Sequence, residues 1–158
     1  MNHIPEGASA VSPYMVLNDA GAAIDFYVEA LGATEKLRMN FPGTDAIMHA
    51  EIEIEGQTIM LSQENPDCGM LSAKGLGGSP VAMYIYVTDA DAAHAQALAA
   101  GATEEMPVME MFWGDRMGTV LCPFGYKWSF ATHVKDPTPE EMEAGAKAMM
   151  EQMAGGGD

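Results

Sequence analysis

A chain of 158 residues, 48% hydrophobic and 19% charged, is long enough to bury one domain core and too apolar for disorder. Seven Lys and Arg against 23 Asp and Glu give a formal net charge of -16, which excludes a basic nucleic-acid surface, disfavours an anionic membrane, and either attracts a cationic ligand or serves solubility alone. No apolar run nears the ~20 residues of a membrane span, and residues 1–10 lack a basic start followed by an apolar stretch, so a cytoplasmic protein is expected.

In chain order, a strand is expected over residues 13–17, then a helix capped at Asn18-Asp19. Ala23, Phe26, Tyr27, Ala30 and Leu31 make its apolar stripe, and Gly32 stands where a helix stops. Residues 47–55 alternate. Met48, Ala50, Ile52 and Ile54 are expected to face the helix, with Ile47, His49, Glu51, Glu53 and Glu55 on the other face. Gly56 opens a further strand, 57–63, and residues 64–80, rich in Gly, Ser and Pro, read as a flexible linker.

The same order then repeats. A β-branched and aromatic strand, 81–87, leads through Thr88-Asp89 to an Ala-rich helix, 90–100, and Gly101. Gly32-Ala33-Thr34-Glu35 recurs 69 residues later as Gly101-Ala102-Thr103-Glu104, and Gly56 recurs at the same offset as Gly125, opening strand 126–132. Two separated features at one offset point to a duplicated βαβββ module. The expected α+β domain has module one at about 10–63, the linker at 64–80, module two at about 81–134 and a C-terminal helix at about 139–153. Thr138, Pro139 and Glu141 form a capping-box start for that helix, whose stripe is Met142, Ala146, Met149, Met150 and Met153; residues 155–158 are expected to fray. Cys68 and Cys122 lack CxxC spacing and are expected to be free thiols.

Ser12-Pro13-Tyr14, Ala23-Ile24-Asp25-Phe26-Tyr27 and Gly125-Tyr126-Lys127-Trp128 resemble the opening and close of modules of the vicinal oxygen chelate (glyoxalase/bleomycin-resistance/dioxygenase) superfamily. Met48-His49-Ala50-Glu51, Phe112-Trp113-Gly114-Asp115-Arg116, Ala131-Thr132-His133-Val134 and Pro137 to Met142 resemble its PhnB-like branch. The resemblance implies that two modules enclose a cavity and that many relatives dimerise to complete it. It also implies that metal-dependent relatives place ligands on the first and last strand of each module. Carried over, those positions fall on Ser12, Met60, Met83 and Ser129. None is a His or a carboxylate, which counts against a divalent metal and against glyoxalase I chemistry; no metal or cofactor is expected.

Tyr14, Met60, Met83, Ile85 and Ser129 are expected to line the cavity, with the Trp113 loop as its flap or, equally, as a core plug. Asp115 is expected to pair with Arg116 or a neighbour, and Arg116 is the candidate for a carboxylate or phosphate ligand. His49, Glu51 and His133 are candidate catalytic residues by strand parity, as a displaced metal or acid/base site, against a reading as hydrogen-bonded structural residues. Cys122 before Pro123 is better read as a small buried residue than as a nucleophile. The 15 methionines fill a core or line an adaptable cavity, and the chain has no GxGxxG, Walker or HExxH motif. The expected function is metal-independent binding of a small apolar or cationic molecule by a homodimer. The alternatives are a lyase, isomerase or dioxygenase of the same superfamily, and a regulatory module with a filled cavity.

Overall fold

The computed structural model describes residues 3–5 and 7–155; the expected fraying at 156–158 and part of the 1–10 segment lie outside them. The described residues form eight strands and four helices: β1 (Tyr14–Leu17), α1 (Ala20–Leu31), β2 (Thr34–Asn40), β3 (Ile47–Ile54), β4 (Gln57–Gln63), α2 (Ala73–Leu76), β5 (Met83–Tyr86), α3 (Ala90–Ala99), β6 (Thr103–Glu110), β7 (Asp115–Leu121), β8 (Lys127–His133) and α4 (Pro139–Gly155). The strands make two four-stranded sheets of the same topology, β1-β4-β3-β2 and β5-β8-β7-β6. In each, the first strand runs parallel to the last and the other pairs are antiparallel. The fold is thus α+β, built from two tandem βαβββ units and a C-terminal helix.

Local chemistry explains the helix ends. Asp19 accepts from the Ala22 amide and Asp89 from the Ala92 amide, satisfying donors that a helix start leaves unpaired. Gly32 closes α1 in the left-handed region at φ 64°. The second helix ends differently: Ala100 stays right-handed and Gly101 takes the positive φ. Thr138 and Glu141 exchange hydrogen bonds as a capping box at the start of α4.

The two units share one core. Met15, Leu17, Ala50, Ile52 and Leu61 of the first sheet and Val120, Trp128 and Phe130 of the second are buried on the helix side, in one cluster with Ile24 and Tyr27. Tyr27 of α1 packs against Trp128 with ring centroids 5.1 Å apart, and the Tyr126 hydroxyl donates to the Val16 carbonyl across the junction. Cys122 is a buried free thiol 3.7 Å from the Tyr27 hydroxyl, and Cys68 is exposed and also free.

Two expectations are corrected. On β3, Ile47 is buried and Met48 exposed, the reverse of simple alternation, because the β2–β3 register shifts between Met39 and Asn40. The linker is not featureless. It holds a 3-10 turn at Pro66–Cys68 and the helix α2, which Ser72 caps by accepting from the Gly75 amide. Gly75 lies inside that helix and Gly77 closes it in the left-handed region, so these glycines shape structure. Within the single chain α4 leaves the end of its methionine stripe uncovered: Met150 is 71% and Met153 75% exposed. It approaches the β6–β7 connection at Gly145, where a Cβ would collide with the Phe112 side chain. Among the described residues no helix is long and apolar enough to cross a membrane.

Candidate functional site

Strand alternation leaves each sheet one face away from the helices. On the first sheet, Tyr14, Met60, Glu51 and Leu37 are successive cross-strand partners, and Met39 lies beside His49. On the second, the equivalent rows are Tyr84, Ser129 and Thr119, then Tyr86, Ala131 and Met117, then His133 and Asp115. Several of these residues are large, apolar and open: Tyr14 is 50%, Tyr84 45% and Tyr86 58% exposed.

This register revises the carried-over positions. Met60 is partnered by Tyr14 and Ser129 by Tyr84, whereas Met83 is partnered by Trp128. Met83 and Ile85 therefore pack toward the shared core, and the tyrosines between them face outward. The sequence held a signal for this: Tyr14 recurs as Tyr84, one residue beyond the 69-residue offset. On either assignment the set is hydroxyl and thioether, which does not fit the divalent ion of metal-dependent relatives.

The second sheet carries the most organised polar group. Asp115 is 2% exposed, yet it stands at the start of β7 beside a loop. Its Oδ2 accepts from the Tyr84 hydroxyl at 2.9 Å and the Tyr86 hydroxyl at 3.0 Å; its Oδ1 lies 2.8 Å from His133 Nδ1. The other ring nitrogen, His133 Nε2, lies 3.1 Å from Asp136 Oδ1. Tyr84 also reaches Met117 Sδ at 3.3 Å, and Trp113 packs partly buried against Met111, Met117 and Ala131. Gly114 closes the loop, its carbonyl accepting the Val134 and Lys135 amides, so the residues after Gly114 and before Val134 are held together.

Burial pushes the Asp115 carboxyl up, but hydrogen bonds from His133, Tyr84 and Tyr86 outweigh it and hold it below the ordinary range. Burial, with the Asp115 hydrogen bond, pushes Tyr84 up to about 12. The bonds to Asp115 and then Asp136 raise His133. A raised histidine stabilises the fold fully below its unfolded value of about 6.5, and the contribution fades as pH rises through the folded value; a lowered aspartate contributes above about 3.9 and fades as pH falls through its folded value. The stability difference between wild type and His133→Gln is therefore expected to be largest between about pH 4 and 6.5 and to shrink toward pH 8. Urea unfolding of both proteins across that range checks it, and a difference that grows above pH 6.5 would overturn the assignment.

The other sequence candidates fall elsewhere. Arg116 does not pair with Asp115: it forms a two-pronged pair with Asp91 at 2.6 Å and 2.6 Å, because alternation along β7 sends adjacent side chains to opposite faces. Its guanidinium is thus engaged at the start of α3, on the face opposite Asp115. His49 and Glu51 lie 3.3 Å apart on the first sheet, with the Tyr14 ring 5.9 Å from His49, while His133 keeps its own partners on the second. Among the described residues no three His, Cys, Asp or Glu side chains are grouped to hold a metal, so His49, Glu51 and His133 do not make a metal site together.

A cavity of about 450 Å³ opens along the free edge of β5, between the two units. Met83, Tyr84, Ile85, Tyr86 and Trp128 line it together with Val11, Pro13, Ile54, Thr58 and Ile59; among the described residues Glu55 is the charged one in its wall. Of the expected lining residues, Met83 and Ile85 are there; Tyr14, Met60, Trp113, Arg116 and Ser129 are not. Sequence reasoning missed Tyr84, Tyr86 and Asp136.

Comparison with known proteins adds the following. The model of the family described as "Glyoxalase/Bleomycin resistance protein/Dioxygenase superfamily" matches residues 9–130. The chain is 42% identical over 139 residues to the uncharacterized protein Mb0911c of Mycobacterium bovis, covering 85% of this chain and 90% of that one. Among solved structures it is similar to TioX from Micromonospora sp. ML1, with 25% identity, a TM-score of 0.62 and coverage of 80% of this chain and 100% of that one. It is also similar to the Arabidopsis thaliana At5g48480 product, with 27% identity, a TM-score of 0.62 and coverage of 78% and 98%.

Proposed function

We propose that this chain, which belongs to the glyoxalase/bleomycin resistance protein/dioxygenase superfamily, binds a small apolar or cationic organic molecule and does so without a metal at the superfamily's strand positions. The cavity beside β5 carries the reading. Its volume of about 450 Å³ lies in the range of small-molecule sites, its wall is mainly aliphatic and aromatic, and its charged wall residue is the acidic Glu55. Among the described residues no lysine or arginine lines it, and the net charge of -16 repels anions at long range. The Phe112 to Arg116 and Ala131 to Val134 motifs support a place in the PhnB-like branch.

The partner is proposed to be a second copy. Leu37, Met39, Phe41 and Met109 are exposed on strands or strand ends and offer apolar surface for such a contact. Sedimentation at micromolar concentration is expected to give a dimer; a monomer overturns that part.

The binding reading is tested by thermal melting of chelator-treated protein against a library of aromatic and organic-cation compounds. Stabilisation by at least one compound is expected, rising with its concentration. Val11→Lys places a cation in the wall at an exposed position and is expected to weaken a cationic ligand at least tenfold. Ile85→Trp is expected to fill the space and abolish binding. Failure of every compound to stabilise the protein, or undiminished binding by Ile85→Trp, sinks the reading.

A further inference from the structure

We propose that Tyr84, Tyr86, Asp115 and His133 form a binding site for a hard trivalent metal ion, for which ferric iron is the probe. Asp115 is the centre of the argument. A carboxylate 2% exposed must be held by partners, and among the described residues these are the His133 imidazole and two phenols, with neither lysine nor arginine; the adjacent Arg116 is committed to Asp91. Its neighbours are two phenols and an imidazole, each a metal ligand once deprotonated.

The spacing matches coordination. The contacts of Asp115 to Tyr84, Tyr86 and His133 are 2.9, 3.0 and 2.8 Å. Adjacent ligands of an octahedral ion with bonds of about 2.0–2.1 Å stand about 2.9 Å apart. The three contacts that Asp115 makes are thus of the length that neighbouring ligands keep around one ion.

A separate observation concerns His133. Metal-bound histidines generally donate their second ring N–H to a carboxylate, which fixes tautomer and orientation. Asp136 Oδ1 lies 3.1 Å from His133 Nε2, on the side away from Asp115. This leaves Nδ1 as the ligand atom and Nε2–H as the anchored donor. Gly114 ties the two ends of the site together through its carbonyl.

Charge selects the ion. One carboxylate and two phenolates carry three negative charges and balance a trivalent cation. Uptake expels the two phenolic protons to solvent, along with any proton on Nδ1, while Nε2 keeps its own. An oxygen-rich anionic set favours a hard ion over a soft one. The half-exposed rim of Tyr86 and His133 leaves the remaining coordination positions open to water or a chelating anion. The proposal does not rest on the cavity reading, which needs no metal.

The test is titration of chelator-treated full-length protein with ferric nitrilotriacetate, followed by visible absorption from phenolate-to-iron charge transfer. One equivalent is expected to saturate the band. Tyr84→Phe and Tyr86→Phe, which keep the rings, are each expected to weaken the band, and the double variant to abolish it. Asp136→Asn is expected to lower affinity about 10–100-fold, and Tyr14→Phe on the other sheet to change nothing. Absence of a band in the wild type, or a full band in the Tyr84/Tyr86 double variant, overturns the proposal. Because the readout is the iron chromophore, failure here leaves the ligand-melting test untouched, and the converse holds.

Discussion

Trp128→Ala is expected to destabilise the protein by about 3–5 kcal/mol, the usual cost of truncating a fully buried large aromatic. Trp128 is 0% exposed on β8, and its ring meets Tyr27 of the other unit at 5.1 Å. Truncation leaves a cavity where α1 leans on the second sheet, and close packing there prevents full collapse. For a chain of this size the melting temperature is expected to fall on the order of 10 °C. The neighbouring Lys127→Ala, which removes a half-exposed ion pair with Glu105, is expected to cost less than about 1 kcal/mol. Urea and thermal unfolding compare the two. A Trp128→Ala cost below about 1 kcal/mol would show that the units do not depend on a common core.

Gly114→Ala is the second large effect, about 2–4 kcal/mol. Gly114 holds φ at 98°, and a Cβ there would meet the Lys135 carbonyl oxygen and Pro137 Cδ. Neither can retreat easily, because the Gly114 carbonyl holds the Val134 and Lys135 amides. The turn must open, and Asp115 and His133 sit on its two sides. The variant is therefore expected to lose the pH dependence assigned to His133 together with its stability. Gly43→Ala is the contrast: φ is 74° but nothing lies within 4 Å, so only the backbone preference of about 1 kcal/mol is lost. Equal costs at the two positions would mean that the Gly114 turn yields freely.

What could be read along the chain was local. The 69-residue repeat, the caps at Asp19 and Asp89, the Gly32 stop and the Thr138 capping box depend on residues within a few positions of one another. The helix-facing residues Ala50 and Ile52 follow from a period of two over the same short range. Ile47 escaped that pattern because a bulge is a property of two paired strands.

The polar group on the second sheet was legible only in part, since His133 and Asp115 were visible as candidates and their partnership was not. Arg116 is the nearest cation to Asp115 in sequence, yet alternation turns it toward Asp91. The partners of Asp115 lie 31, 29 and 18 residues away. Sequence by itself determined the duplicated module and its capped helices. Only the tertiary structure decided which tyrosines, which aspartate and which histidine meet, because the order β5-β8-β7-β6 and its register set those distances and neither is encoded in any one stretch of the chain.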